Sequence, residues 1–494
     1  MELENAQQFL KGKTILVTGA TGFLAKVFME KLLRTQPDLK KLYLLLRASD
    51  SASATQRLHD DIMGKQLFKV LRDEMGTDFD SFISEKVEAI AGDVSLVNLG
   101  LDDENNTVKK IKEEIDVIVS SAATTKFDER FDVAMSTNTM GALHILNIAK
   151  SCPKLRALLH VSTAYVCGEA YNERVVKEEP FKMGQTVKGN SKLDIQSEKE
   201  LMKKRMEELE AENVSGEALT SAMKEYGIKR ANLYGWPNTY VFTKAMGEMI
   251  LTTYKDSVPL IIIRPSMITS TIREPFPGWI EGFSTLDSVI GGHGKGTISN
   301  FLGDPKTIVD VIPVDMVTNC MVAAMVTHSI NKNLENFIYH VCSSSRNPLR
   351  TSNISEFSNL FFSKHPLINK SGVPIMTRKL RLLSDLDFQT HMMIQHGLPL
   401  KVLNLGNEVF SHSFDDEYSM NDNKVKLVIR MAQLYRPYAF FKAVFDDSNT
   451  QKLYMTTKME NIEFDPKTID WADYMMNVHI PGLIKFVIKL SHKL

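Results

Sequence analysis

At 494 residues the chain is long enough for two to three domains. Hydrophobic residues make up 43% and charged residues 24%, an ordinary globular balance that excludes a disordered or fibrous chain. With 59 basic and 60 acidic side chains the net charge is −1, which argues against nucleic acid as the main partner.

The start, Met1-Glu2-Leu3-Glu4-Asn5, has no basic flank or apolar run, and no stretch of eighteen apolar residues follows. Neither a secretory or transit segment nor a membrane-spanning helix is expected. Cys152, Cys167, Cys320 and Cys342 are scattered without a CxxC, so they read as reduced thiols, and no metal site is expected.

Short apolar runs alternate with helical patterns over the first 165 residues. Thr14–Val17, Leu42–Leu46, Val87–Ala91, Val117–Val119 and Leu158–Val161 are largely apolar runs, as strands buried on both faces require. Phe23, Leu24, Val27, Phe28, Leu32 and Leu33 between the first two recur at helical spacing. The pattern predicts an α/β fold with a doubly wound parallel sheet. From Lys192 to Glu212 the chain is dense in Lys and Glu and reads as a solvated helix, part of a charged helical insertion near 190–230. The sheet pattern resumes at Pro259–Pro265 and fades after residue 345. The expected organisation is a doubly wound domain over 1–345 and a mainly helical domain over 346–494.

Thr18-Gly19-Ala20-Thr21-Gly22-Phe23-Leu24-Ala25 follows the first strand and opens a helix. Gly19 permits a sharp turn, Gly22 permits backbone to approach a pyrophosphate, and the helix N-terminus offers N–H groups to it. Thr18, Gly19, Thr21, Gly22, Phe23 and Leu24 are therefore candidate cofactor contacts. The second strand ends in Arg47 rather than an acidic residue. A guanidinium suits a ribose 2′-phosphate, so NADPH is the expected cofactor; the alternative is a surface Arg. Asp93, after the third strand, is either an adenine contact or a cap.

Tyr240 and Lys244 stand at i,i+4, one face of a helix. An ammonium near a phenol lowers its pKa from about 10. Ser162 and Thr163, leaving the fifth strand, each offer a hydroxyl for a substrate oxygen. With the phosphate loop, this set resembles the extended short-chain dehydrogenase/reductases. That family's strand-end pattern implies Thr163 as the catalytic hydroxyl beside Tyr240 and Lys244. It further implies cofactor contacts at Ala122, Ala123, Asn138, Lys244, Arg264, Pro265 and Ser266.

Longer segments sharpen the likeness: GATGFLAK, Leu44–Arg47, Ala122–Glu129, HVSTAYVCGE, Gly235–Tyr240, Pro275–Trp279 and Phe445–Thr450 are similar to the alcohol-forming fatty acyl-coenzyme A reductases of plants. The likeness spans nearly the whole chain. It implies two-step NADPH-dependent reduction of a long-chain fatty acyl-CoA through an aldehyde to a primary alcohol. An extended reductase acting on a sterol or sugar nucleotide is the alternative. The segment Leu380–Leu403, flanked by Arg378, Lys379, Arg381 and Lys401, reads as core, acyl pocket or a peripheral membrane contact. The resemblance implies the cytosolic face of the endoplasmic reticulum.

Overall fold

A computed structural model describes residues 9–102, 106–169, 174–189, 192–283, 285–330, 337–394, 428–457 and 461–488. The chain clusters into two units. The first comprises Met1–Glu281, Asp310–Asn347 and Ala443–Ile469; the second comprises Gly282–Val309, Pro348–Lys442 and Asp470–Leu494. The single boundary expected at 345 is thus one of several crossings.

The first unit is built on strands β1 (Thr14–Thr18), β2 (Lys41–Leu46), β3 (Val87–Ala91), β4 (Val117–Ser120), β5 (Ala157–Val161), β6 (Leu260–Pro265) and β7 (Ile338–Val341). They form a parallel sheet in the order β7-β6-β5-β4-β1-β2-β3. This is the doubly wound sheet that the apolar runs predict, and every residue of β1 and β6 is buried. Strand order reverses between β1 and β4, so their carboxyl ends flank the crevice where such sheets take ligands.

Six helices position the site: α1 (Phe23–Thr35), α2 (Gly141–Lys150), α3 (Ile195–Ala211), α4 (Gly216–Tyr234), α5 (Thr239–Tyr254) and α6 (Val314–Ile330). α2 and α5 cover one sheet face, where Ile145, Leu146, Ala149 and Leu251 join Leu16, Ile118, Leu158 and Ile262 in one core cluster. α1 packs against α6.

The charged insertion is α3 and α4, and its charges are not all solvated as the Lys/Glu density suggests. Glu198 on α3 is 1% exposed and pairs with Arg230 of α4 (Nε to Oε2, 2.8 Å), while the Tyr234 hydroxyl donates to its other oxygen at 2.7 Å. A buried carboxylate with these partners pins α3 to α4.

Residues 443–469 belong with the sheet because buried polar bonds hold them there. Val444–Phe445 pairs in parallel with Val175–Val176. The Glu178 carboxyl accepts from the backbone N–H groups of His340 (2.7 Å) and Asn449, and the Thr450 hydroxyl lies 3.1 Å from Oε1. Arg346 bridges Asp447 (2.7 Å) and Asp465 (2.9 Å). The Phe445–Thr450 motif is therefore a structural stitch.

The second unit is mainly helical in its described part, with helices over Thr285–Gly294, Thr351–Lys364 and Asp385–Met392 and a two-stranded parallel pair, Asn300–Leu302 with Arg381–Leu383. Its interior holds an enclosed His479–Asp287 pair at 2.9 Å. The Leu380–Leu403 segment divides. Leu380, Phe388 and Met392 are core, Leu386, Met393 and Ile394 are exposed, and residues 395–403 lie outside the described residues. Leu483 and Ile488 of the C-terminal apolar stretch are buried. Among the described residues, no helix is long and apolar enough to cross a membrane.

Candidate active site

The loop between β1 and α1 meets the loop after β4. Gly19 has φ +70°, and a Cβ there would sit 2.6 Å from the Ala122 Cα and N. Only glycine allows that turn and that approach together. The Thr18 hydroxyl accepts from the Ala122 N–H at 3.3 Å, so it staples the two loops rather than facing a ligand. Gly22 is the N-cap of α1, is exposed, and leaves the helix with no side-chain cap. Free N–H groups at the end of a 13-residue helix, beside a glycine turn at the switch point, fit a dinucleotide pyrophosphate. Thr21 and Phe23 are half-buried at this end, and Leu24 is buried. Arg47 is exposed at the end of β2, where a 2′-phosphate would lie. Asp93 Oδ1 accepts from the Ser95 N–H at 2.8 Å, so the capping alternative is the one observed for that oxygen.

The catalytic helix is aimed by its own motif. Gly235, at φ 98°, ends α4 in the left-handed conformation. Trp236 turns inward, and its indole N–H donates to the Val166 carbonyl at 2.7 Å. Asn238 caps α5, accepting from the Val241 N–H at 3.1 Å. Tyr240 then falls on the first turn of α5 and Lys244 on the second. Its ring stacks on Phe127, centroids 6.2 Å apart.

Thr163 stands just beyond β5. Its hydroxyl faces the Tyr240 phenol, and receives the Tyr165 N–H at 3.3 Å. Ser162, the other candidate, has a buried hydroxyl without a protein partner. Burial pushes the Tyr240 phenol up to about 12, opposed by the Thr163 hydroxyl. The Lys244 ammonium, expected beside the phenol, directs its hydrogen bonds to β5. Nζ donates to the Val161 carbonyl at 2.6 Å and lies 3.3 Å from His160 Nε2. Burial lowers Lys244 to about 8, with Glu248 acting to raise it. Tyr240 is thus a protonated phenol at neutral pH, a proton donor as it stands.

Two expected cofactor contacts have other work. Arg264 is 2% exposed and forms a forked pair with Glu248 on α5 (Nε to Oε1, 3.0 Å), with Nη1 3.3 Å from His340 Nε2. That enclosure leaves no face of the guanidinium for a ligand. Asn138 is buried, accepts from the Thr124 N–H (3.0 Å), and donates to the Thr124 carbonyl (3.1 Å) and Thr243 hydroxyl (3.0 Å). It clamps the loop holding Ala122 and Ala123 to α5. Pro265 contributes its carbonyl, 3.5 Å from the Thr163 hydroxyl, and the buried Ser266 hydroxyl faces Asp310 and Cys342. Burial raises the thiols of Cys152, Cys320 and Cys342, which opposes thiolate chemistry at those sites. Among the described residues, no cluster of His, Cys, Asp and Glu could hold a metal ion.

Comparison with known proteins places this geometry. A family model described as male sterility protein, NAD-binding, matches residues 17–321, and a second, sterile, of the same description matches 395–490. Fatty acyl-CoA reductase 1 of Arabidopsis thaliana is 50% identical over 494 residues, covering 98% of this chain and 99% of its own. The chain belongs to the fatty acyl-CoA reductase family. The alcohol-forming fatty acyl-CoA reductase of Simmondsia chinensis is 45% identical, with 99% of each chain covered. Among solved structures, the terminal R domain of the myxalamid PKS-NRPS pathway aligns with a TM-score of 0.59 at 16% identity, covering 96% of this chain and 91% of that one. That likeness speaks to the fold alone.

Two groups of this fatty acyl-CoA reductase site escaped the sequence reading. His160 lies inside the HVSTAYVCGE motif, and Glu248 repeats the i,i+4 step one turn past Lys244. The second signal was available; the first needed the sheet register that brings β4 beside β5.

Proposed function

We propose that this protein reduces long-chain fatty acyl-CoA to the primary alcohol, with NADPH as the reductant. The observation that carries the reading is the Thr163–Tyr240 hydroxyl pair at the strand ends, with Lys244 one helical turn away. Membership of a family whose Simmondsia relative is named alcohol-forming supports the product. Bound reduced nicotinamide supplies one hydride in each of two steps, thioester to aldehyde and aldehyde to alcohol. Two reductant molecules and two protons are consumed, and coenzyme A leaves as its thiol.

In the first step Thr163 and Tyr240 donate hydrogen bonds to the carbonyl oxygen as negative charge develops on it. Expulsion of coenzyme A restores a carbonyl, held by the same two hydroxyls. In the second step Tyr240 gives its proton to the alkoxide as general acid. A phenol raised to about 12 keeps that proton until an alkoxide, a stronger base, needs it. Arg47 supports NADPH over NADH through its exposed guanidinium.

The test is product analysis with purified protein, NADPH and a mixed acyl-CoA pool, run in parallel with Tyr240→Phe. Alcohol from the parent, and loss of turnover at nearly unchanged NADPH affinity in the variant, is the expected result. Parent-like turnover in Tyr240→Phe refutes the mechanism.

The reading extends to location: peripheral attachment to the cytosolic face of the endoplasmic reticulum. Exposed Val373, Met376, Leu386, Met393 and Ile394 lie in the same stretch of the second unit as exposed Arg378, Lys379 and Arg381. Apolar side chains near cations suit an anionic bilayer surface, where an insoluble alcohol would also be released. Fractionation should place the protein with the reticulum and alkaline carbonate should release it; recovery wholly in the soluble fraction refutes this.

A further inference from the structure

His160 is 2% exposed at the end of β5, and its ring joins two elements of the site. Nδ1 lies 3.1 Å from the hydroxyl of Ser120, its register partner on β4. Nε2 lies 3.3 Å from Lys244 Nζ on α5. Burial and the Lys244 charge both hold the imidazole well below its ordinary pKa, so the ring is neutral. A neutral ring has one N–H and one acceptor nitrogen, and an ammonium has no lone pair. Nε2 must then be the acceptor, and Nδ1–H donates to Ser120. This tautomer is assigned from the bonding pattern. The next residue supplies the second acceptor, the Val161 carbonyl at 2.6 Å. Two of the three ammonium N–H groups are therefore tied to consecutive residues of one strand.

We infer that His160 is a positioning residue of the reductase site: with Val161 it locks the rotation of the Lys244 ammonium, so that one N–H, directed off β5, is kept for the ligand side. Ser120 in turn fixes the ring. A ring that merely filled space would be replaceable by any side chain of similar volume. A ring that positions must keep an acceptor toward Lys244 and a donor toward Ser120.

The inference rests on the reading of Tyr240 and Lys244 as reductase residues, and three variants separate the two. His160→Leu keeps the bulk and removes both polar ends. His160→Gln keeps an amide oxygen for Lys244 and an N–H for Ser120. Tyr240→Phe reports on the site itself. Losing a hydrogen bond to a charged group predicts a fall in kcat of about ten- to a hundredfold for His160→Leu. The KM for acyl-CoA should stay within about twofold, because substrate does not touch the ring, and His160→Gln should recover to within about threefold of the parent. Equal losses in Leu and Gln, or parent-like kcat in Leu, overturn the inference while leaving the site reading intact if Tyr240→Phe is inactive. An active Tyr240→Phe overturns the site reading instead. If His160→Leu does not fold, Ser120→Ala decides: a severalfold loss of kcat beside a parent-like His160→Gln supports positioning, and parent-like turnover in Ser120→Ala overturns it.

Discussion

The Arg264–Glu248 pair gives the sharpest test of how the catalytic helix is held. Glu248 is 0% exposed, lies four residues past Lys244, and takes a forked contact from Arg264 of β6. Replacing Glu248 with Leu leaves a guanidinium buried without its carboxylate. Breaking such a pair from one side costs about 3–5 kcal/mol, whereas replacing both partners with apolar groups is often near neutral. Glu248→Leu should therefore lower the melting temperature by at least about 5 °C, and Glu248→Leu/Arg264→Leu should regain most of it. The regain is incomplete because Arg264 Nη1 also meets His340 Nε2, 3.3 Å away. Thermal melts read the stability, and a fluorescence titration with NADPH reads the cofactor. Turnover is the wrong readout, since Glu248 also raises Lys244 against its burial. The double variant should bind NADPH within about twofold of the parent, a difference of under half a kcal/mol. A large loss of affinity in the folded double variant that Glu248→Leu alone does not show would mean that Arg264 touches the cofactor and that its role as a structural ion pair is wrong.

Other expectations follow from single contacts. Gly19→Ala puts a methyl 2.6 Å from the Ala122 backbone at φ +70°, so NADPH affinity should fall by about tenfold or more; an unchanged titration contradicts the close approach. Arg47→Glu should weaken NADPH by about tenfold and move preference toward NADH, read from kcat/KM with each; unchanged preference means another residue reads the phosphate. Burial raises Glu178 to about 8 against an ordinary 4.5, so the folded state holds a proton that the unfolded chain has released between those values. Stability therefore falls as pH rises from 4.5 to 8, by up to about 1.4 kcal/mol per unit, and levels off above. Glu178→Gln should flatten the fall in melting temperature between pH 6 and pH 8; parallel curves for parent and variant would place the proton elsewhere.

The sheet was legible because strands buried on both faces must be apolar along most of their length, and Ile15–Val17, Leu42–Leu46 and Leu260–Ile263 are. The phosphate loop and the Tyr240–Lys244 pair were legible from spacing, which also left Ser162 and Thr163 open at the strand end; the family resemblance is what singled out Thr163. The interleaving of the two units was not. It depends on Glu178, Arg346 and Asp447, whose partners lie 101 or more residues away, beyond any periodic signal. The buried Glu198 was hidden for a related reason: in a run of Lys and Glu nothing local marks the one carboxylate that faces Arg230 and Tyr234.

Where expectation and structure part within the site, the same physical cause recurs. Thr18, Asn138 and Arg264 are polar residues near the cofactor crevice, and each is satisfied by protein instead. Thr18 bonds to the Ala122 N–H, Asn138 to Thr124 and Thr243, and Arg264 to Glu248. A buried polar group must be satisfied, and one that waits for a ligand bears that cost whenever the ligand is away. Loops that carry backbone N–H groups to a phosphate, and a helix that carries a phenol to a carbonyl, have to be held to within fractions of an ångström. Polar staples between loops and α5 do that where apolar packing would leave sliding freedom. The residues that remain open are fewer: the uncapped start of α1, Arg47 at the rim, the Ser162 hydroxyl, the Thr163–Tyr240 pair, and the last N–H of Lys244. Site chemistry is therefore concentrated in groups that the fold leaves incompletely bonded, and much of the surrounding motif serves to keep them in place.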